Sequence, residues 1–332
     1  MKKKLKEFLA KNKPLFVKVK TRLKDFFIKN KSLVVLVVFC IVIAILNPRF
    51  LTPSNVLNIL RQTSINSVIA AGMTFVILTG GIDLSVGSTL ALAGAVAAMM
   101  LAKGSSVYLA VLAALAIGAA IGAFNGLAIS KGKIQPFIAT LGVMTLIRGY
   151  TLVFTDGKPI SAGSSAGAAA FVNIGAGYFL GIPIPIYIMA LVFGISYYIL
   201  RHTRMGRYVY SLGCNEEATI YSGINTDRIK ILVYTISGIL AALAGIIITA
   251  RLSSAQPQAG SGYELDAIAA VVLGGTSLAG GIGGIFGTVI GALIIGVLNN
   301  ALNLMDVSSY YQLLLKGLVI LIAVLLDRKQ KK

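Results

Sequence analysis

The chain has 332 residues, of which 57% are apolar and only 12% charged, and its mean hydropathy is +0.87. Soluble domains hold about half apolar residues and roughly a quarter charged ones, so a soluble globular protein is excluded. The net charge of +19 does not point to nucleic acid, because 12 of the 30 Lys/Arg lie in the first 31 residues and most others fall in connectors of one side.

Residues 1–31 are basic, with apolar positions at Leu5, Phe8, Leu9, Phe16, Val19, Leu23, Phe26 and Phe27 and an interruption near Pro14. That spacing predicts amphipathic helical pieces, suited either to an anionic membrane surface or to a solvated cytoplasmic extension. No small-residue cleavage site follows the first apolar run, so a signal peptide is not expected.

Beyond this extension a transmembrane domain is expected over 32–327, including a cytoplasmic loop at 201–230, with a basic tail at 328–332. Runs of about 20 apolar residues recur, the length that a bilayer demands. Ten spans are predicted, at 33–46, 65–80, 84–102, 107–130, 136–155, 183–200, 231–252, 265–279, 284–302 and 310–326. The fold class is therefore all-α and polytopic; a β-barrel would show short alternating segments instead. The 36 glycines suit close helix–helix packing in lipid. With both termini inside, the inner connectors and tails hold 23 of the 30 Lys/Arg, and the outer ones hold Arg49, Arg61, Lys103 and Lys158. An even number of spans follows from that imbalance.

Two stretches interrupt the helical pattern: LTGGIDLSVGS at 78–88 and LGGTSLAGGIGG at 273–284. Gly80, Gly81, Leu84 and Gly87 recur as Gly274, Gly275, Leu278 and Gly281 at a constant offset of 194, which suggests a duplicated module. Gly-rich backbone at membrane depth is tolerated where it is buried in protein or lines a cavity. The candidate pathway or hinge residues are Thr79, Gly80, Gly81, Asp83, Ser85, Gly87, Gly274, Gly275 and Thr276, with tight turns and glycine packing as the plainer reading.

Charged groups within spans are costly and default to functional hypotheses. Arg148 lies deep in the fifth span and needs a partner or a wet cavity, and a pair with Asp83 is conceivable. Lys316 is read as snorkelling from near a helix end. Neutral lining candidates are Asn66, Thr74, Thr79, Thr140, Thr145, Asn299, Asn300 and Asn303, each of which also suits interhelical contact. The chain has no Trp, so a pathway here favours passage over retention.

The longest polar interruption is 201–230, RHTRMGRYVYSLGCNEEATIYSGINTDRIK. Five Lys/Arg mark it as cytoplasmic. Asn215 is placed to cap a short helix, with Glu216 and Glu217 in its first turn and an apolar side made by Ala218, Ile220, Tyr221 and Ile224. The segment reads as a docking surface beneath a membrane domain.

Several chemistries are missing. There is no phosphate-cradling G-x-x-x-x-G-K-[ST], no H-E-x-x-H and no G-x-S-x-G, and His202 is the single histidine. The chain is therefore not expected to be an enzyme, and no metal site is expected.

At LTGGIDLSVGS the chain resembles the permease family of bacterial sugar ABC importers, in its ribose-type branch. The likeness spans almost all of 33–326 and includes NILRQTS at 58–64, KGKIQPFIATL at 131–141, HTRMGRYVYSLGCNEEAT at 202–219 and LNNALNL at 298–304. The resemblance implies the ten-helix fold of vitamin B12-type importers and two identical permease subunits around one pathway. It also implies an extracytoplasmic sugar-binding protein and a cytoplasmic ATPase that carries ATP and Mg, with no cofactor in this chain. The implied location is the bacterial inner membrane. The implied coupling residues are Gly206, Arg207, Gly213, Asn215, Glu216, Ala218, Ser222 and Gly223. The cargo expected is a monosaccharide, with ribose favoured over xylose, galactose or an autoinducer-type furanose; an ATP-independent sugar transporter is the alternative. Two departures stand out: Ile282 and Gly284 replace basic residues after the second Gly pair, and Cys214 replaces a small Gly, which would strain a left-handed turn.

Overall fold

The computed structural model describes residues 31–329. The amphipathic pieces expected in the N-terminal extension and most of the basic tail lie outside the described residues.

Ten helices overlap the ten expected spans: α1 (Lys31–Leu46), α2 (Pro53–Leu78), α3 (Val86–Ala102), α4 (Val107–Ser130), α5 (Pro136–Phe154), α7 (Ile184–His202), α10 (Thr226–Leu252), α11 (Tyr263–Leu273), α12 (Ile285–Leu304) and α13 (Ser309–Lys329). Three shorter helices join them: α6 (Ala166–Ala176), α8 (Arg204–Cys214) and α9 (Glu216–Tyr221). By length and composition alone, α4, α5, α7, α10 and α12 are long and apolar enough to cross a membrane. The described strands are two-residue pairs: β1 (Ile160–Ser161) with β4 (Ser254–Ala255), and β2 (Tyr178–Phe179) with β3 (Ile182–Pro183).

Helix α10 is the axis of the bundle. Its 27 residues rise about 40 Å, and α2, α3, α4 and α6 pack around it. The α4 seam is built from glycines four residues apart: Gly118 abuts Gly238, Gly122 abuts the Tyr234 carbonyl, and Gly126 abuts Ile231. A methyl at any of these would collide with backbone, so the two helices meet at main-chain distance, as expected of small residues in lipid. Large apolar side chains are instead exposed on α4, α5 and α7, among them Tyr108, Leu112, Leu146, Val153 and Leu191. In water such faces would be a liability; in hydrocarbon they are the expected exterior.

Interatomic contacts sort the connectors into two ends. At one end Ser32 Oγ donates to the Leu273 carbonyl at 2.6 Å, and Lys131 lies 3.3 Å from Asp227. At the other, β1 pairs with β4, and Asn47 Nδ2 donates to the Leu304 carbonyl at 3.2 Å. The basic connectors 131–135 and 201–230 gather at the first end, here called the inner end.

Two span expectations need correction. The segment expected at 265–279 is a half-length helix: α11 has 11 residues and rises about 16 Å, roughly half of a hydrocarbon core. Leu278 and Ala279 extend the apolar run, but Gly275 at φ +89° ends the helix before them. The segment expected from 65 begins instead at Pro53, because the polar run around Gln62 is one face of α2 and not a connector.

Candidate functional site

The first break begins where α2 ends. Gly81 N–H bonds the Val76 carbonyl at 3.1 Å and Gly80 N–H bonds that of Ile77 at 2.9 Å, with Gly80 at φ +78°. The second break repeats this closure at Thr276 to Val271 and Gly275 to Val272. The geometric correspondence is therefore Gly80 with Gly275, an offset of 195 and not the 194 read from the residue types. The modules also differ in packing. Helices α11 and α12 lie along one another through Gly274 against Gly287 and Gly291 against the Ala270 carbonyl, whereas α2 and α3 share no comparable face.

Between Gly81 and α3 the chain turns into the bundle. Asp83 is 1% exposed. Its Oδ1 accepts from the Ser85 N–H at 3.0 Å and the Ser85 hydroxyl at 2.6 Å, and Oδ2 accepts from Ser237 of α10 at 2.8 Å. Asn125 of α4 donates to Ser85 Oγ at 2.8 Å. Asp83 thus staples the break to α10 and α4. The conceivable pair with Arg148 is not formed: Arg148 Nη1 donates to the Pro257 and Ala259 carbonyls, both at 2.9 Å. That holds the 256–262 loop inside the bundle, where Gly260 rests on Gly87 in the first turn of α3.

The inner end is closed by 203–225. Thr203 caps α8, its hydroxyl accepting from Gly206 N–H, and Gly206 lies against the last carbonyls of α7. Asn215 caps α9 by accepting the Ala218 N–H at 2.9 Å. Glu216 reaches Lys230 of α10 at 2.6 Å. Ser222 donates back to the Ala218 carbonyl at 2.8 Å, and Gly223 turns the chain at φ +77°. The outward surface carries Arg207, Glu217, Ala218, Ile220 and Tyr221, the last 89% exposed.

This segment grips both breaks. Gly213 touches the Leu78 carbonyl and the Gly281 nitrogen, with no room for a methyl. Gly280 faces both Gly80 and Gly213. Tyr210 donates its hydroxyl to the Gly283 carbonyl at 3.0 Å, and burial pushes that phenol up, against the pull of Arg201, so the donor proton is retained. Thr276 Oγ1 accepts from Gly284 N–H at 3.4 Å, fixing the far side of the turn. Cys214 lies over Gly281, and its own φ is not left-handed, so the strain expected there does not arise.

Among the cavities that flank this framework, two bear on the expected residues. The inner one, about 390 Å³, is bounded by Thr79, Gly80, Gly81, Lys133, Glu216 and Lys230. The other, about 350 Å³, lies between α2, α11, α12 and α13. Asp266, 3% exposed, stands in its wall. Asp266 Oδ2 accepts from Lys316 at 2.9 Å and from Asn66 at 3.2 Å. Lys316 therefore points into the bundle, and its reading as a snorkelling residue is corrected. Asn66, Asn299 and Asn303 line this cavity as expected. Asn300 instead exchanges two amide hydrogen bonds with Asn55, and Thr74 meets Thr288 at 2.8 Å, both as interhelical contacts. Thr140 bonds the Ile82 carbonyl at 3.2 Å, and Thr145 bonds within its own helix.

Sequence reasoning missed Asp266 and Arg251, both of which line this cavity. Asp266 lies at the second position of the span expected over 265–279, where an apolar run hides it. The period of α2 was the available signal: Gln62, Thr63 and Asn66 share one helical face.

An all-helical bundle with lipid-type faces and a glycine-broken core is the architecture of a multi-pass membrane permease. Residues 55–324 match the family described as branched-chain amino acid transport system / permease component, and the chain belongs to that family. It is similar to the ribose import permease protein of Haemophilus influenzae, 58% identical over 89% of this chain and 91% of that one, and to that of Bacillus subtilis, 58% identical over 89% and 91%. The D-allose transport system permease protein of Escherichia coli is 43% identical over 88% and 90%. No solved structure matches the chain.

Proposed function

We propose that this chain is the permease subunit of an ATP-driven ABC importer that carries a monosaccharide, ribose foremost, into the cell by alternating access. Its likeness to ribose import permeases at 58% identity supports the cargo. The observation that carries the mechanism is Gly213 wedged between Leu78 and Gly281. A push on α8 and α9 reaches both breaks through main-chain contact, with no flexible side chain between.

In this reading two copies surround one pathway in the plasma membrane, with both termini cytoplasmic. A separate ATPase, holding ATP and Mg, seats against Arg207, Glu217 and Tyr221, and an extracytoplasmic binding protein delivers the sugar. The affinity resides in that protein, because a conduit that retains its cargo slows release.

The test is charge reversal at Arg207 and Glu217 in the reconstituted complex. The expected result is loss of ATPase docking and of ATP-driven uptake. Unchanged docking and uptake would remove the coupling assignment, and concentrative uptake by this polypeptide alone would remove the ATP-driven reading.

A further inference from the structure

We propose that the cavity between α2, α11, α12 and α13 is a subsite for one neutral monosaccharide, with Asp266 as the acceptor for its hydroxyls. The inference rests on the transport reading above and adds the residues that meet the cargo.

The cavity measures about 350 Å³, at the small end of the roughly 300–1,000 Å³ spanned by small-molecule sites. Ten of its fifteen lining residues are polar. Such a lining is wasteful for helix packing in lipid, where interfaces favour small residues. It suits a polyol, whose every hydroxyl both donates and accepts.

The hydrogen-bonding capacity of the wall is unspent. Both bonds to Asp266 fall on Oδ2, and among the described residues Oδ1 takes none. Lys316 has three donors and gives one to Asp266. Arg251, also on the wall, makes no side-chain hydrogen bond among the described residues. Thr63 Oγ1, in a residue 3% exposed, and Asn299 Oδ1 are likewise without partners among the described residues. Buried polar groups are ordinarily satisfied, so the unused capacity of Asp266, Lys316 and Arg251 on this wall suits an occupant.

Asp266 is paired with Lys316 at 2.9 Å, and its two oxygens can accept from two neighbouring hydroxyls of a polyol. The single aromatic lining the cavity, Tyr263, offers a limited stacking face. Occupancy is therefore hydrogen-bonded and brief, as a conduit requires. Lys316 acts as a positioning residue for Asp266.

The complete importer, with its ATPase and binding protein in lipid vesicles, tests this through uptake of ribose and of its monodeoxy analogues. The variants are Asp266→Asn, Asn299→Ala and the near-isosteric Thr63→Val, which removes a hydroxyl without a hydrogen-bond partner among the described residues. The expected result for Asp266→Asn is a fall in ribose uptake of about tenfold, the size of one charge-assisted hydrogen bond. Each variant shifts its ribose-to-deoxyribose ratio from the wild type by about fivefold for at least one analogue. A purely structural role lowers all sugars together. Ratios equal to wild type in all three variants overturn the subsite whatever the absolute rates. Uptake that proceeds without ATP overturns the importer reading instead, and the ratios still decide the subsite.

Discussion

The Gly281 N–H donates to the Leu78 carbonyl at 2.9 Å, joining two Gly-rich breaks that lie 203 residues apart. Gly213 of α8 packs on both atoms of that bond. One main-chain hydrogen bond is thus shared among the end of α2, the turn after α11 and the helix proposed to face the ATPase.

Gly213→Ala places a methyl on the Leu78 carbonyl, where nothing flexible can yield. The expected outcome is separation of α8 from the breaks, with uptake lost at least about tenfold while the basal ATP hydrolysis of the partner persists. Paired uptake and phosphate-release assays check it.

Lys316→Met leaves the Asp266 carboxylate buried with only the Asn66 amide. Breaking a buried pair from one side costs about 3–5 kcal/mol. Thermal unfolding in detergent should show that loss, and Lys316→Met combined with Asp266→Asn should recover much of it. Additive losses in the double variant would dissolve the pair as an energetic unit.

Asn215→Ala removes the cap of α9, a helix of only six residues. A lost N-cap costs about 1 kcal/mol, enough to fray so short a helix. Weaker capture of the ATPase is expected, with restoration by Asn215→Asp. Co-purification yields of the complex measure it.

Arg148→Gln withdraws the cation that holds the Pro257 and Ala259 carbonyls. Hydrogen bonds to charged groups contribute about 1.5–3 kcal/mol each. Protease sensitivity at 256–262 should rise, and Arg148→Lys should restore only part of the protection because its ammonium has no planar fork. Limited proteolysis of the reconstituted protein checks this.

The apolar runs located ten helices, and the capping residue Asn215 with its acidic first turn located α9. What escaped did so for physical reasons. Hydropathy reads straight through Leu278 and Ala279, so the half-length of α11 depended on the left-handed turn at Gly275, which composition does not register. The polar residues of α2 look like a connector until their helical period is weighed. The Asp266–Lys316 pair joins positions 50 apart, a distance over which no local pattern operates. Within 166–176, the small residues let α6 sit on α10 through Gly175, and the segment is too short to stand out as an apolar span.

The glycine seam between α4 and α10 has a consequence for the surrounding bilayer. With Gly118, Gly122 and Gly126 at main-chain contact, no acyl chain can enter that seam, and the two helices form one stiff strut. Membrane thickness then acts on the protein through the outer faces of α5 and α7, where the apolar side chains stand free. Transport in thinner or thicker bilayers should change with the tilt of those two helices while the strut keeps its length.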